Sequence, residues 1–219
     1  MMMRQAITRN SLILGLFAIT TAGVLALTNN ATVPKIECNR QAALNSSLLE
    51  VMPAQQFDNT LLTDFITVND PLLGRNGHHI YRARLDGEPN GAVLEATAPD
   101  GYGGKLSLLV GVSADGTITG VRVVPPHNET PGLGDKVELK KSDWVLDFNG
   151  TSLGNPVTER WAVKKDGGDF DSFTGATITP RAVVGQVKRA LQYYEQHRED
   201  IYAVPAEPVA AQTCEEADA

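Results

Sequence analysis

An uncharged apolar run near the N-terminus constrains this chain more than any other feature. Residues 11–28 read SLILGLFAITTAGVLALT, and no charged residue occurs between Arg9 and Lys35. A helix of that length spans about 27 Å, close to the thickness of the hydrocarbon core of a bilayer. Arg4 and Arg9 precede the run, and the positive-inside rule keeps such residues in the cytoplasm. We predict a cytoplasmic segment at 1–10 and a transmembrane helix at 11–28.

A cleaved signal peptide is the alternative, because signal sequences also place arginine before an apolar run. Alanines after Thr21 could serve a signal peptidase. A lipoprotein is disfavoured because no cysteine directly follows the run. With the anchor retained, the chain crosses the bacterial inner membrane once, and its main domain lies on the periplasmic side.

The composition of the remainder excludes some classes of partner. The chain has 219 residues and a formal net charge of −7. An acidic body without a basic stripe argues against nucleic acid as a partner. The two cysteines, Cys38 and Cys214, are either free thiols or a disulfide, which would require an oxidising compartment. The four histidines are too scattered to predict a metal site.

The residues after the apolar run predict an α+β fold, which consists of a mixed and partly antiparallel sheet with flanking helices. Helical spacing over 35–52 ends at Pro53. Alternation and turn residues predict strands, and a helix is expected within 135–148. The predicted strands are DFITV, HHIYRARL (78–85), AVLEAT (92–97), 106–112, 118–124 and RWAVKK (160–165).

The last element is an amphipathic helix followed by a tail. Thr179 and Pro180 predict its N-cap and first position. Val183, Val184, Val187, Leu191 and Tyr194 then share one face. The domain bounds are a neck and N-terminal part at 29–98, a ligand-binding domain at 99–198 and a flexible acidic tail at 205–219.

Three glycine-bearing loops are the candidate binding segments, at 101–104, 127–134 and 169–179. The usual nucleotide motifs are missing from the sequence, because Gly132-Leu133-Gly134 lacks the third glycine of a dinucleotide turn and no G-x-x-x-x-G-K occurs. A hydrolase is also poorly supported, since no G-x-S-x-G occurs and no histidine lies beside a candidate nucleophile.

The third loop can favour an anion. Thr174, Thr177 and Thr179 offer hydroxyls before a helix start, where free N–H groups and the helix dipole attract negative charge. Arg181, unfavourable there for the dipole alone, would pair with a phosphate. The alternative is that the threonines are ordinary capping and turn residues.

The stretch DSFTGATITP, residues 171–180, resembles the flavinylation motif of the FMN-binding domain family. In that motif an Asp is followed by Ser or Thr and then by Gly-Ala-Thr, and Asp171, Thr174, Gly175, Ala176 and Thr177 match in order. APDGYGG and HNETPGLGDK resemble two further segments of the same domain. Including the anchor, the chain is most similar to the G subunit of the Rnf (also Rsx) electron transport complex.

The resemblance implies FMN held by a phosphoester to Thr177 and attached by a dedicated flavin transferase. The cofactor-binding set would be Thr177 with Thr174, Gly175, Ala176, Thr179 and Asp171, and Glu129, Thr130, Leu133 and Tyr102 would approach the flavin ring. No catalytic residue and no metal ligand is expected, because the flavin itself holds the electrons.

The implied function is electron relay in a membrane complex that couples electron flow between ferredoxin and NAD to ion movement, with the other membrane subunits as partners and no independent catalytic activity. Two alternatives remain at this point. One is a component similar to the C subunit of the sodium-pumping NADH:quinone reductase. The other is an unflavinylated, membrane-tethered binding or assembly module.

Overall fold

A computed structural model describes residues 2–74 and 77–208, without the side chains of residues 2–6. Cys214 and most of the predicted tail lie outside these residues, so their predictions are not taken further. Two compact units are present, and within the described part the first covers residues 2–44 and the second residues 45–208. The candidate site lies wholly in the second unit.

The first helix, α1, runs from Met2 to Val51 and contains the predicted membrane-spanning segment. Among the described residues it is the one helix long and apolar enough to cross a membrane. Its apolar side chains are exposed, with Phe17 and Leu27 both at 72%. Thr20 and Thr21 donate their hydroxyls to backbone oxygens one turn earlier, at 2.8 Å each. Such back-bonding satisfies hydroxyls where no water is available.

The second unit is built on a five-stranded sheet in the order β1-β2-β3-β4-β5, and all four pairings are antiparallel. The predicted α+β fold is confirmed. The strands are β1 Phe65–Val68, β2 His78–Leu85, β3 Glu88–Gly101, β4 Gly104–Ser113 and β5 Ile118–Val124. Strands β3 and β4 extend into the loop expected at 101–104, which leaves a tight turn at Tyr102 and Gly103.

The main core lies between one face of this sheet and the last helix, α2, which runs from Ile178 to Ala203. Alternate strand residues such as Leu94 and Leu108 face the apolar side of α2, where Val187 and Leu191 are at most 2% exposed. The face predicted for this helix is therefore confirmed. Full burial of one such side chain contributes about 1.5–3 kcal/mol.

The opposite face of the sheet receives the end of α1. Val51 is fully buried, and its carbonyl oxygen accepts a hydrogen bond from Thr119 Oγ1 at 2.5 Å. Gly111 and Gly120, paired across β4 and β5, make room for this contact. A Cβ on Gly111 would collide with the Val51 oxygen, so only glycine admits the helix end.

The segment between β5 and α2 contains short 3₁₀ turns and corrects two predictions. The helix expected within 135–148 is two turns, Gly134–Val137 and Asp143–Phe148, and Val137, Trp144 and Phe148 in them are buried. RWAVKK is not a strand. Residues 158–160 and 164–166 form turns, and the backbone of Ala162 and Lys164 bonds to Phe170 nearby in the chain.

Candidate functional site

The start of α2 differs from the prediction in a way that singles out Thr177. The helix begins at Ile178, and Thr177 is the N-cap, where Thr179 was expected. The Thr177 carbonyl accepts the first helical hydrogen bond from Arg181 N at 3.1 Å, but its hydroxyl makes no capping bond. The side chain is half-buried. A hydroxyl at the cap position is thus left available to another group.

Thr179 cannot cap the helix because its hydroxyl has another partner. Its Oγ1 donates to Glu129 Oε2 at 2.5 Å, and the residue is 1% exposed. Backbone N–H groups in a first turn lack acceptors within the helix, and Pro180 has no N–H. Ile178 and Thr179 therefore supply the N–H groups that the helix start presents beside Thr177.

A tight turn delivers the chain to this helix start. Ala176 N donates to Phe173 O at 3.0 Å, and Thr174 and Gly175 form the tip. Gly175 has φ of 82°, a conformation that residues with a Cβ rarely adopt. The motif's glycine is thus required by the turn, and the turn leaves the Thr174 side chain exposed.

The turn is held against the core through an aromatic anchor. Trp144 Nε1 donates to Asp171 O at 2.9 Å, and the Trp144 ring lies 5.3 Å from that of Phe173 in an edge-to-face arrangement. Trp144 also contacts Phe148 edge to face at 5.4 Å. Asp171 therefore serves the loop through its backbone, while its carboxylate points outward to Lys164 Nζ at 2.8 Å.

Glu129 joins the three predicted loops. This carboxylate is 6% exposed. Its Oε1 accepts from Gly103 N at 2.9 Å in the first loop, and its Oε2 accepts from Thr179 Oγ1. A Cβ on Gly134 would lie 2.5 Å from Oε2, so the second loop also closes tightly over the carboxylate. Hydrogen bonds to charged groups contribute about 1.5–3 kcal/mol each.

A cavity of about 230 Å³ opens where the three loops meet. Eight of the ten predicted cofactor-binding residues line it, and the others in the lining are Gly134 and Ile178. The eight are Tyr102, Glu129, Thr130, Leu133, Gly175, Ala176, Thr177 and Thr179. Asp171 and Thr174 do not line it. Ile178 was not among the predicted residues, although its place directly after the motif's last threonine was a usable signal.

The rim of the cavity is apolar and exposed. Tyr102 is 69% exposed, Ile178 46% and Leu133 40%. One such residue needs no explanation, but three around one cavity form a surface suited to a flat aromatic ligand. The cavity therefore combines this surface with backbone N–H groups and a hydroxyl at the adjoining helix start.

Arg181 does not support the phosphate role suggested for it from the sequence. Its guanidinium donates to Asp166 through Nε at 2.6 Å and Nη2 at 2.9 Å. Hydrogen bonding from Arg181 lowers the pKa of the Asp166 carboxyl. The arginine is thus paired with a carboxylate on the surface, and with this pair intact an anion at the helix start would rely on backbone N–H groups and hydroxyls.

Comparisons with known proteins identify the families that this chain resembles. A family model described as FMN-binding domain matches residues 101–192, and a model described as RnfG N-terminal region matches residues 1–51. A protein of Pseudoalteromonas atlantica, named as the G subunit of an ion-translocating oxidoreductase complex, is 52% identical over 207 residues, covering 94% of this chain and 96% of the relative.

Proteins of the same name from other bacteria are similar over nearly the same span. That of Erwinia tasmaniensis is 50% identical over 88% of this chain and 92% of the relative. That of Vibrio cholerae is 46% identical over 93% of this chain and 97% of the relative. A crystal structure of Shewanella oneidensis NqrC aligns with a TM-score of 0.45 and 21% identity, covering 71% of this chain and 76% of that one.

Proposed function

The chain belongs to the family of G subunits of ion-translocating oxidoreductase complexes, and we propose that it carries FMN esterified to Thr177 on the outer side of the membrane. The predicted family is confirmed. The chain is a membrane-anchored flavin electron-transfer subunit, and the other subunits of the Rnf complex are its partners. The match of residues 101–192 to the FMN-binding domain model supports FMN as the cofactor. The alternative of a C subunit of a sodium-pumping reductase is not favoured by these relatives.

The observation that carries the proposal is the Thr177 hydroxyl at the N-cap of α2. It makes no capping hydrogen bond and lies beside a cavity. In the attachment step, Thr177 Oγ forms a bond to the FMN phosphorus of FAD as the bond between the two phosphates breaks. AMP leaves, and the hydroxyl proton is lost to solvent. A flavin transferase would carry out this step, and this chain would supply the acceptor hydroxyl.

The other two threonines fit the acceptor role less well. Thr179 is buried and donates its hydroxyl to Glu129, so it is neither exposed nor free to react. Thr174 is exposed but lies on the turn, outside the cavity lining. Of the three threonines, only Thr177 both lines the cavity and has a hydroxyl that makes no capping hydrogen bond.

The residues around the cavity fit the two ends of FMN. The N–H groups of Ile178 and Thr179 and the positive end of the α2 dipole would hold the phosphate. Tyr102, Leu133 and Ile178 would contact the isoalloxazine ring, the part of the cofactor that accepts and releases electrons. The cavity is below the roughly 300–1,000 Å³ typical of sites that enclose a ligand. A bound flavin would therefore keep part of its ring at the surface, where a neighbouring redox centre can approach.

Attachment of FMN can be tested by expressing the full-length chain with the transferase and measuring the flavin fluorescence of the denatured chain in a gel. Thr177→Ala should abolish the signal, whereas Thr174→Ala and Thr179→Ser should retain fluorescence. A fluorescent Thr177→Ala chain would move the attachment site elsewhere. A dark wild-type chain from transferase-expressing cells would favour the unflavinylated binding module.

The outer-side placement has its own test. The only charged residues before Lys35 are Arg4 and Arg9, which supports a cytoplasmic N-terminus. A reporter enzyme that is active only in the periplasm, fused after Asn30, should be active in the intact inner membrane. Activity of the corresponding cytoplasmic reporter at the same position would overturn this orientation.

A further inference from the structure

The carboxylate of Glu129 is buried, and each of its oxygens accepts a hydrogen bond from another site loop. Gly103 N and Thr179 Oγ1 each donate to a different oxygen, so both oxygens act as acceptors, as expected of an ionised carboxylate. None of the ion pairs among the described residues includes Glu129. The negative charge therefore lies on the cavity wall without a cationic side chain paired to it.

Such a group is not needed merely to fill space. Burial of a carboxylate costs free energy that its hydrogen bonds only offset, and an apolar side chain of similar volume would fill the same space at lower cost. Two consequences of this particular arrangement bear on a cofactor. One concerns the position of Thr177, and the other concerns the charge that a bound flavin would face.

We propose that Glu129 is a positioning residue that holds the first turn of α2 in place for attachment at Thr177, and that its charge makes the attached flavin harder to reduce. The proposal rests on the proposed function, because both effects need a flavin at Thr177. It assigns Glu129 a role distinct from direct contact with the ring.

The positioning effect follows from the chain connectivity. Thr179 is two residues after Thr177 and lies in the first turn of α2. Its hydroxyl bond to Glu129 ties that turn to the second loop, while Gly103 ties the first loop to the same carboxylate. Since the Thr177 hydroxyl makes no capping bond, the Thr179–Glu129 bond is the side-chain contact that ties this turn to the second loop.

The electrostatic effect follows from the location of the charge. Glu129 lines the cavity together with Thr177 and Thr130. Reduction adds electrons to the flavin, and a fixed negative charge close by opposes that addition. The opposition is stronger away from bulk water because screening is weaker there. Removal of the charge should therefore raise the flavin midpoint potential.

The positioning effect is tested by timing flavin attachment to the full-length chain with purified transferase and FAD. Thr179→Val keeps the shape but removes the hydroxyl, and it should slow attachment about tenfold, the cost of one hydrogen bond to a charged group. Thr179→Ser keeps the hydroxyl and should attach flavin at nearly the wild-type rate. Equal rates in the two variants would overturn the positioning role.

The electrostatic effect is tested by redox titration of chains that have already been loaded. Glu129→Gln should raise the midpoint potential relative to the wild type. Glu95→Gln is the matched control, because this half-buried carboxylate, hydrogen-bonded to Tyr81 OH at 2.9 Å, lies outside the cavity lining. It should leave the potential unchanged. An unchanged or lowered potential in Glu129→Gln would overturn this role.

The outcomes separate this proposal from the one on which it rests. A wild-type chain without flavin would defeat the proposed function itself. A wild-type chain that loads normally, with Thr179→Val loading equally fast, would defeat only the positioning role of Glu129. If Glu129→Gln does not fold, the comparison of Thr179→Val with Thr179→Ser still decides the positioning role.

Discussion

The two ends of α2 differ in whether the protein supplies hydrogen-bond partners for them. At the C-terminal end, Arg82 is 2% exposed and donates Nη1 to Ile201 O at 3.2 Å and to Val204 O at 2.5 Å. Asp64 in turn accepts from Arg82 Nε at 2.6 Å. At the N-terminal end, the Thr177 hydroxyl makes no capping bond and adjoins a cavity. One end is closed by the protein, and the other is left open.

This difference separates stability from ligand binding. Helix ends carry backbone groups that need partners from outside the helix. The protein satisfies the carbonyls of the C-terminal end with a buried arginine, and β1 adds a contact just beyond, where Glu207 N donates to Phe65 O at 3.0 Å. At the other end, the proposed phosphate would be the partner of the N–H groups. Substitutions at the closed end should therefore affect folding, and those at Thr177 should affect loading.

The largest expected effect on stability is at Arg82. Arg82→Met removes the charge with little change of volume and leaves Asp64 and two carbonyls short of donors, which should cost about 3–5 kcal/mol of unfolding free energy. Urea unfolding of the full-length chain in detergent, followed by tryptophan fluorescence, measures it. The control is Arg84→Met, because Arg84 donates to the same carboxylate at 2.7 Å but is 25% exposed. An equal loss in both variants would contradict the closed-end account.

A smaller loss of unfolding free energy is expected when Gly134, beside the N-terminal end of α2, is substituted. Gly134→Ala would place a Cβ 2.5 Å from Glu129 Oε2 and 3.0 Å from Thr179 Oγ1. Overpacking of this kind costs about 1–3 kcal/mol. The same urea unfolding measures it, and Gly154→Ala is the control because nothing lies within 4 Å of its Cβ position. A Gly134→Ala chain as stable as the control would show that the second loop does not close over the carboxylate.

The motif's glycine should matter through its backbone. At Gly175 only Leu133 Cδ2 approaches a Cβ position, at 3.9 Å, but φ is 82°. Gly175→Ala should cost about 1–2 kcal/mol, the penalty for a left-handed residue with a Cβ. Gly175→Asn, which tolerates this conformation better, should recover part of the loss. If the Gly175→Ala and Gly175→Asn chains are equally stable, the explanation from backbone conformation is wrong.

The smallest effect is expected at Arg181. Its ion pair with Asp166 is exposed, and pairs of that kind contribute little. Arg181→Ala should leave the urea midpoint unchanged within error and should still load flavin when in-gel fluorescence is measured. Loss of loading in this variant, with stability intact, would return Arg181 to the phosphate-binding role that the sequence suggested.

Local patterns predicted several elements well. The predicted bounds of β2 and β5 agree with the structure because alternation and the flanking turn residues are local signals. The apolar face of α2 was likewise predicted from its period. RWAVKK carries similar alternation, but the backbone of Ala162 and Lys164 bonds to Phe170, a few residues later, and the segment forms turns.

Non-local contacts account for what the sequence could not predict. Thr179-Pro180 resembles a helix start, yet the Thr179 hydroxyl is bound by Glu129, 50 residues earlier in the chain. Nothing in the sequence distinguishes Gly111 and Gly120 from other strand glycines, and only the structure shows that Val51 packs against them. The cavity itself was predicted in part, because the family resemblance named most of the residues that line it.

The central claim is that Thr177 carries the flavin, and mass spectrometry of the membrane-extracted chain tests it most directly. The account predicts that the intact chain is heavier than its sequence by one esterified FMN, that a proteolytic peptide localises the increment to Thr177, and that Thr177→Ala has the unmodified mass. An unmodified wild-type chain from transferase-expressing cells, or an increment localised to Thr174, would contradict it.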